Sequence, residues 1–577
     1  MKRILSLLLA ALLMLSGCGT KKDIQVLDTM EQEPSYESRF SSETVIELSD
    51  SGIKTDSLSV FASNDIIYYE DRDTYDSGNP YGEGEAGDKH SADEAAAHTV
   101  VNITKPGAYR VTGKLSRGQI RVDLGEDAYE EKDAVVELIL DGADITCTVA
   151  PAILFLNVYE CDGDRDEDNA TPHVDTSKAG ANLILEGENT VNGSYVARIY
   201  KDKEGEKKLW KQDGAIYSYM SMNIAGSGAL NLTAENEGLG TELHLTIQSG
   251  DITIRSGNDG INTNEDDVSV TTINGGRVLI LAGLGVEGDG IDSNGYLVIN
   301  GGSVVSAAHP ASDAGLDSNL GSFVHGGTVV ALGSSMDWAE SESGQVTMNL
   351  QFASYRSPSD VIRITNEDGK EIFSFDPVAV LGEHTREYMG VVISCPAFKQ
   401  GDTYLVYAGS QQMQYTGTDV QRFPGGFGGG RPEGFGGQPP EGFEGGRPEG
   451  FGGQPPEGFE GGRPEGFGGR PPEGVDEQKP ADMDLPEGFG KIPSQEDPEM
   501  GWGFEGQPPE GFDGQFPEGF GGQPPEGFSG GRGEDRGNRP QGGNRGQTGD
   551  RQPVEGNTAF FMQDKVNSFS GLSAITE

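Results

Sequence analysis

Three stretches of this 577-residue chain carry carboxylate and amide side chains at matching offsets: Asp259, Asn262 and Asn264, then Asp289, Asp292 and Asn294, then Asp313, Asp317 and Asn319. Asp292-Ser293-Asn294 and Asp317-Ser318-Asn319 are the same tripeptide, although Asp313 stands one residue further from its glycine than Asp259 and Asp289 do. Side chains at alternate positions of an extended segment share a face, so Asp292 projects with Asn294, and Asp317 with Asn319. If the three segments stack as neighbouring strands, ~4.8 Å apart, their carboxylates crowd together and repel unless something neutralises them. Oxygen-only donors in flexible turns suit Ca²⁺, which takes about 6–8 oxygen ligands. The competing account is an Asn/Asp ladder that caps turns by hydrogen bonding to backbone. Recurrence in three successive segments favours calcium.

The elements that would bring these segments together are legible as a repeat. A Gly-Gly turn followed by β-branched residues occurs at Asn274-Gly275-Gly276-Arg277-Val278, Asn300-Gly301-Gly302-Ser303-Val304 and His325-Gly326-Gly327-Thr328-Val329, with second glycines 26 and 25 residues apart. A second series runs in phase through Gly214, Gly238, Gly260, Gly290 and Gly315, stepping by 24, 22, 30 and 25. A period of about 20–30 residues without helical periodicity is the mark of a β-solenoid. Ile216, Leu239, Ile261, Ile291 and Leu316, each just past a glycine of this series, should point inward and stack coil on coil. Leucine-rich repeats share the period, but their Leu-x-x-Leu-x-Leu pattern is absent.

The fold class expected is all-β: a right-handed parallel β-helix over residues 56–340, with loops leaving it at 160–180 and 198–212. Runs such as Val361-Ile362-Arg363-Ile364, Glu371-Ile372-Phe373-Ser374-Phe375 and Tyr404-Leu405-Val406-Tyr407 predict a small C-terminal β domain over 341–420. Such a domain would cap the open strand edge at the end of the solenoid. Residues 421–556 are low complexity, and Arg431 through Gly446 repeats identically as Arg447 through Gly462. Pro and Gly at this density predict a disordered insertion, either a spacer or one whose Phe435, Phe443, Phe451 and Phe459 act as weak stickers. Residues 557–577 should return as a strand of the capping domain.

Composition narrows the partners. The formal net charge of −51 argues against nucleic acid, which needs Lys/Arg patches. It also means that any polyanion must be held through cations or apolar contacts. At the N-terminus, Met1-Lys2-Arg3 and the apolar run Ile4 to Leu15 form a secretory signal too short to span a bilayer. It ends Leu15-Ser16-Gly17-Cys18, a lipobox-like motif, so Cys18 is expected to carry lipid and hold the protein on the outer membrane face. Residues 19–55 read as a polar tether. Of the remaining cysteines, Cys147 and Cys161 could pair, or all three with Cys395 could be small buried residues.

Asp162-Gly163-Asp164-Arg165-Asp166-Glu167-Asp168 has the alternation of a calcium loop but lacks its sixth-position Gly, and His173 stands where an EF-hand needs Glu. It reads as a solvated acidic loop. With Ile103–Gly113 (ITKPGAYRVTG), Leu138–Thr146 (LILDGADIT) and Gly288–Gly295 (GDGIDSNG), residues 55–410 resemble the calcium-binding, parallel β-helix carbohydrate-binding-domain lipoproteins of Gram-positive anaerobes. That resemblance implies a pectate-lyase-like fold, calcium between coils, and binding rather than cleavage of plant-type polysaccharide, acidic sugars such as polygalacturonate especially. The loops between 160 and 212 and the long C-terminal insertion depart from it.

The residues themselves assign no catalytic group. A pectate lyase needs a basic residue beside its calcium, and between Gln212 and Tyr355 the only Lys or Arg are Arg255 and Arg277, both flanking Gly turns. The Gly-His-Gly and Arg-x-Lys elements of pectin-hydrolysing β-helices do not occur. A carbohydrate binder is therefore favoured over a polysaccharide lyase or a structural adhesion stalk. Tyr195, Trp210, Tyr217, Tyr219 and Tyr296 are candidates for stacking on sugar faces, with ordinary packing as the alternative.

Overall fold

The computed structural model describes residues 36–68, 90–196, 212–311, 313–420 and 556–575. All of them belong to one of the two units into which the chain divides, Met1–Gly434 with Asp550–Glu577. Cys18 and its signal, Trp210 and the repeat region up to residue 555 lie outside the described residues. No helix among the described residues is long and apolar enough to cross a membrane.

Three parallel ladders make a solenoid. The first runs through Gly107–Leu115, Val136–Thr146, Ala181–Glu186, Met222–Gly226, Leu245–Ile247, Val270–Ile273, Tyr296–Ile299 and Gly321–Val324. The second runs through Glu188–Gly193, Ala229–Ala234, Asp251–Ser256, Arg277–Leu281, Ser303–Ala307 and Thr328–Gly333. The third runs through Thr99–Ile103, Gly118–Asp123, Ile153–Asn157, Gly214–Ser218, Glu237–Thr241, Ile261–Thr263, Ile291–Ser293 and Leu316–Ser318. One strand of each ladder per coil accounts for the period seen in the sequence.

The two glycine series do different jobs. Gly276, Gly302 and Gly327 have φ of +80°, +80° and +82°, a left-handed turn that a side chain would strain, and they deliver the chain to the second ladder. Gly290 permits close approach: a Cβ there would sit 2.5 Å from the carbonyl oxygen of Gly315 in the next coil and would collide with Ser306. The residues just past this second series stack as expected. Ile216 pairs with Leu239, Leu239 with Ile261, Ile261 with Ile291, and Ile291 with Leu316, all fully buried. Burying each such side chain contributes roughly 1.5–3 kcal/mol, so this one row is a substantial part of the core.

Further strands pair with the outermost strands of the ladders at both ends. Glu43–Leu48 pairs with Gly107–Leu115 as an outer strand of the first ladder. Just before it, the buried carboxylate of Glu137 accepts from Arg39 N at 2.8 Å and from the Ser38 hydroxyl at 2.5 Å. Tyr36 and Phe40 pack on Ala108, Ile139, Ile184 and Ala225. This corrects the expected tether, because residues 36–48 bind to the solenoid wall. At the other end Thr328–Gly333 pairs antiparallel with Tyr388–Ser394, so the parallel stack stops. Tyr388–Ser394 continues to Thr347–Arg356, which pairs with Val566–Ala574. Ile362–Asn366, Glu371–Phe375, Thr403–Ala408, Gln411–Gln414 and Phe560–Phe561 form the further strands about a core containing Phe352, Phe375, Tyr404 and Phe560. Thr347–Arg356 and Gln411–Gln414 are strands that the sequence pattern did not reveal.

Candidate functional site

The polar face of the third ladder is built by register. The apolar residue of each strand points inward, so its neighbour points out: Asn262 lies opposite Asp292, and Asp292 opposite Asp317. Upstream the same register position is Gly240 and then Tyr217, which confines the row to the last coils. A second row stands two residues before the inward apolar stack, where Glu237, Asp259 and Asp289 precede Leu239, Ile261 and Ile291. In the final coil that place is taken by Ala314, so Asp313 falls off the row. Asp313 instead accepts from Gly288 N at 2.9 Å and sits 3.6 Å from His309 Nδ1.

Each carboxylate of this second row spends one oxygen on the next coil. Asp259 Oδ1 accepts from Asp289 N at 2.7 Å, and Asp289 Oδ1 from Ala314 N at 2.5 Å. Asn262 donates through Nδ2 to Glu237 Oε1 at 3.0 Å, while its own Oδ1 is buried with no hydrogen-bond partner. Asp337, beyond the repeat, joins the cluster: its N donates to Leu316 O at 3.1 Å and its Oδ2 accepts from Ser318 N at 3.1 Å. Burial holds Asp289 well above the usual carboxylate range, and the charges of Asp317, Asp259 and Asp292 add to it. Asp317 is pushed up to about 7, first by burial and then by Asp337. These are the signs of carboxylates crowded in a desolvated row. Among the described residues no three His, Cys, Asp or Glu side chains converge as a preformed metal cluster.

Glu237 and Asp337 were not legible as members of the site. Glu237 shares the glycine series but sits in a coil without the Asp-x-Asn pattern, and Asp337 lies past the last repeat. Asn264, Asn294 and Asn319 serve the turn. Asn294 Nδ2 donates to Asn264 O at 2.9 Å, and Asn319 Nδ2 to Asn294 O at 2.9 Å. Asn264 Nδ2 donates to the Tyr217 hydroxyl at 3.2 Å. The turn-capping account therefore describes Asn294 and Asn319, Asn264 bonds a buried tyrosine instead, and Asn262, Asp292 and Asp317 form the outward row.

The aromatic candidates do not form one surface. Tyr217 is fully buried, with its hydroxyl bonded to Glu242 and its ring 5.4 Å from that of Tyr219, which corrects its assignment to sugar stacking, since it has no exposed face. Tyr219 is half-buried and accepts from Gln212 Nε2 at 3.2 Å. Tyr195 is half-buried too. Tyr296 begins a strand of the first ladder, with its ring 6.1 Å from that of Phe323. Cys147, Cys161 and Cys395 are all free thiols, and burial pushes those of Cys147 and Cys395 up to about 11.

A separate pocket of about 100 Å³ opens beneath the 160–175 loop, lined by Asp162, Asp164, Asp166, Asn169, His173 and His244 with Ala170, Val174 and Val268. Arg165 of this loop is ion-paired to Glu265, which ties the loop to the solenoid. His244, at the entry to the first ladder, is 2% exposed. Burial lowers its pKa to about 4, so the ring is neutral at physiological pH.

Comparison with known proteins agrees with a carbohydrate theme. Residues 97–349 match the family model described as carbohydrate-binding domain-containing protein. A protein of that same description from Acetivibrio thermocellus is 30% identical over 174 residues, 29% of this chain and 51% of that protein. The chain thus spans about half the length of the curated relative it matches. A solved structure described as a polysaccharide lyase-like protein from C. thermocellum, a gadolinium derivative, aligns at 22% identity over 50% of this chain and 94% of that one, with a TM-score of 0.29.

Proposed function

We propose that this chain is a surface protein that binds acidic polysaccharide through calcium held on the third ladder of its solenoid. One observation carries the reading: a desolvated row of carboxylates lies on the segment that matches the carbohydrate-binding family, with Asp317 pushed up to about 7. Carboxylates raised this far lack a positive partner, and the buried, unpartnered Oδ1 of Asn262 adds a neutral oxygen donor beside them. That donor set fits Ca²⁺. Asp259, Asn262, Asp289, Asp292 and Asp317, joined by Glu237 and Asp337, would hold it. Bound there, calcium would supply the charge that lets an acidic protein accept galacturonate-like carboxylates.

The solenoid winds right-handed in this reading, as parallel crossovers do, and the C-terminal strands cap it. Cys18 carries the lipid that keeps the domain at the outer membrane face. The test is retention of polygalacturonate and of a neutral glucan by residues 19–577 with and without Ca²⁺, watching ultraviolet absorbance for unsaturated product. Calcium-dependent retention with unchanged absorbance is the expected result. Product formation would make the protein a lyase, and retention of no glycan would leave an adhesion stalk.

A further inference from the structure

We infer that the pocket beneath the 160–175 loop is a second carbohydrate subsite, one that takes a neutral sugar residue by its hydroxyls. The inference rests on the carbohydrate-binding reading above and adds a site and a selectivity to it.

His244 carries the case. Its Nδ1 accepts from Val270 N at 3.0 Å, so that nitrogen holds a lone pair and the proton of the neutral ring resides on Nε2. Nε2 finds no acceptor among the described residues, although the side chain is 2% exposed and lines the pocket. Its Nε2–H opens onto the pocket and offers a donor to an oxygen acceptor there. Opposite it, Asp164 uses both oxygens internally, accepting from Asp166 N at 3.0 Å and from Asn169 Nδ2 at 2.9 Å. Asp162 and Asp166 each spend Oδ1 on a loop N–H, leaving Oδ2 to accept from a ligand.

The donor–acceptor balance selects the ligand. A metal ion is disfavoured at His244, because its Nε2 presents an N–H and not a lone pair. An anion is disfavoured by the carboxylates, and the guanidinium of Arg165 is engaged with Glu265. A group that both donates and accepts, without net charge, satisfies both sides. Sugar hydroxyls do this, donating to Asp162 and Asp166 while accepting from His244. Ala170, Val174 and Val268 offer apolar surface to the C–H face of the ring. The two sites then divide the labour, acidic residues of a polymer going to the third ladder and neutral ones to the pocket.

The test follows the His244 ring resonance by NMR in the histidine-labelled full soluble chain. The probes are methyl β-glucoside, methyl α-galactoside, galacturonic acid and CaCl₂, each titrated alone. A saturable shift with a neutral glycoside and none with galacturonic acid is expected. Asn at this position keeps an acceptor where Nδ1 was and removes the Nε2 donor, so His244→Asn should weaken glycoside affinity about tenfold. Gln restores a donor at the Nε2 position, so His244→Gln should bind more tightly than His244→Asn even if it melts earlier. Three results overturn the inference: a shift with CaCl₂ alone, an equal shift with galacturonic acid, or undiminished binding by His244→Asn. The two readings also fail separately. A still resonance in a chain that retains polysaccharide removes the subsite alone, whereas a moving resonance in a chain that retains none supports the pocket and removes the polymer reading.

Discussion

Among the described residues two acidic clusters stand out, and the same residue type behaves differently in each. On the third ladder, carboxylates are repeated by coil stacking, so strand register fixes their spacing and they cannot move apart without breaking backbone hydrogen bonds. Burial first, and repulsion second, raises the proton affinity of Asp289 and Asp317. In the 160–175 loop, successive Asp residues fold back on the N–H groups of their own loop, as Asp164 does with Asp166 N and Asp166 with Asp168 N, and Asp164, Asp166 and Asp168 remain exposed. The contrast teaches that acidic density alone says little about cation affinity. What matters is whether the backbone forces the charges together and strips their water.

The widest expected gap between the regions is in tolerance of a side chain at glycine. Gly290→Val should cost about 3 kcal/mol or more, because the added carbon meets backbone and Ser306 of the adjacent strands. Chemical denaturation of the full soluble chain would measure it, and an unchanged midpoint would mean that the coils are looser than their register indicates. Next in size is calcium. At a hundredfold excess over its dissociation constant it should add about 2.7 kcal/mol of stability. Asp292→Asn or Asp317→Asn should remove that gain, whereas Asp162→Asn should leave it intact. If the loop variant lost the gain and the ladder variants kept it, the assignment of the two clusters would be reversed.

A smaller effect concerns pH without calcium. Asp317 rises from 3.8 to about 7 in the folded chain, so the folded state binds the proton more tightly than the unfolded one. The stability this gives is complete below about pH 4, is lost as pH rises to about 7, and is flat beyond. Partial exposure and sharing of protons with Asp289 spread the transition. Asp317→Asn should flatten the melting profile across that window, and a wild-type profile that climbed with pH would contradict the crowded-row account. Smallest of all, Gly163→Val should change stability by no more than about 0.5 kcal/mol, since its added carbon meets only Glu160 Cγ at 4.0 Å.

Much of the solenoid was legible because its signals are local and repeated. The spacing of Gly276, Gly302 and Gly327 reports a turn that only glycine adopts readily, and Ile261, Ile291 and Leu316 report the inward face of each coil. The site was legible only in part. Asp292 and Asp317 were found by their shared tripeptide. Asp337 was not, because it reaches the row from outside the repeat, and no periodic pattern encodes such an arrival. The acidic loop was read as solvated, and Asp164, Asp166 and Asp168 are exposed; that it lines a pocket with His244, 78 residues beyond Asp166, was not legible. Tyr217 was misjudged for the opposite reason: an aromatic in a strand gives no hint of whether its outward face is covered.

By itself, the sequence determined the coil length, the identity of the inward stack and the concentration of acidic residues at one turn, because glycine conformation and side-chain alternation are properties of short segments. Only the tertiary structure decided which carboxylates crowd together, which amides are spent on the turn, and how a loop from one coil closes over a histidine of another. Those outcomes depend on water being excluded between segments far apart in the chain, and desolvation has no counterpart in any single stretch of residues.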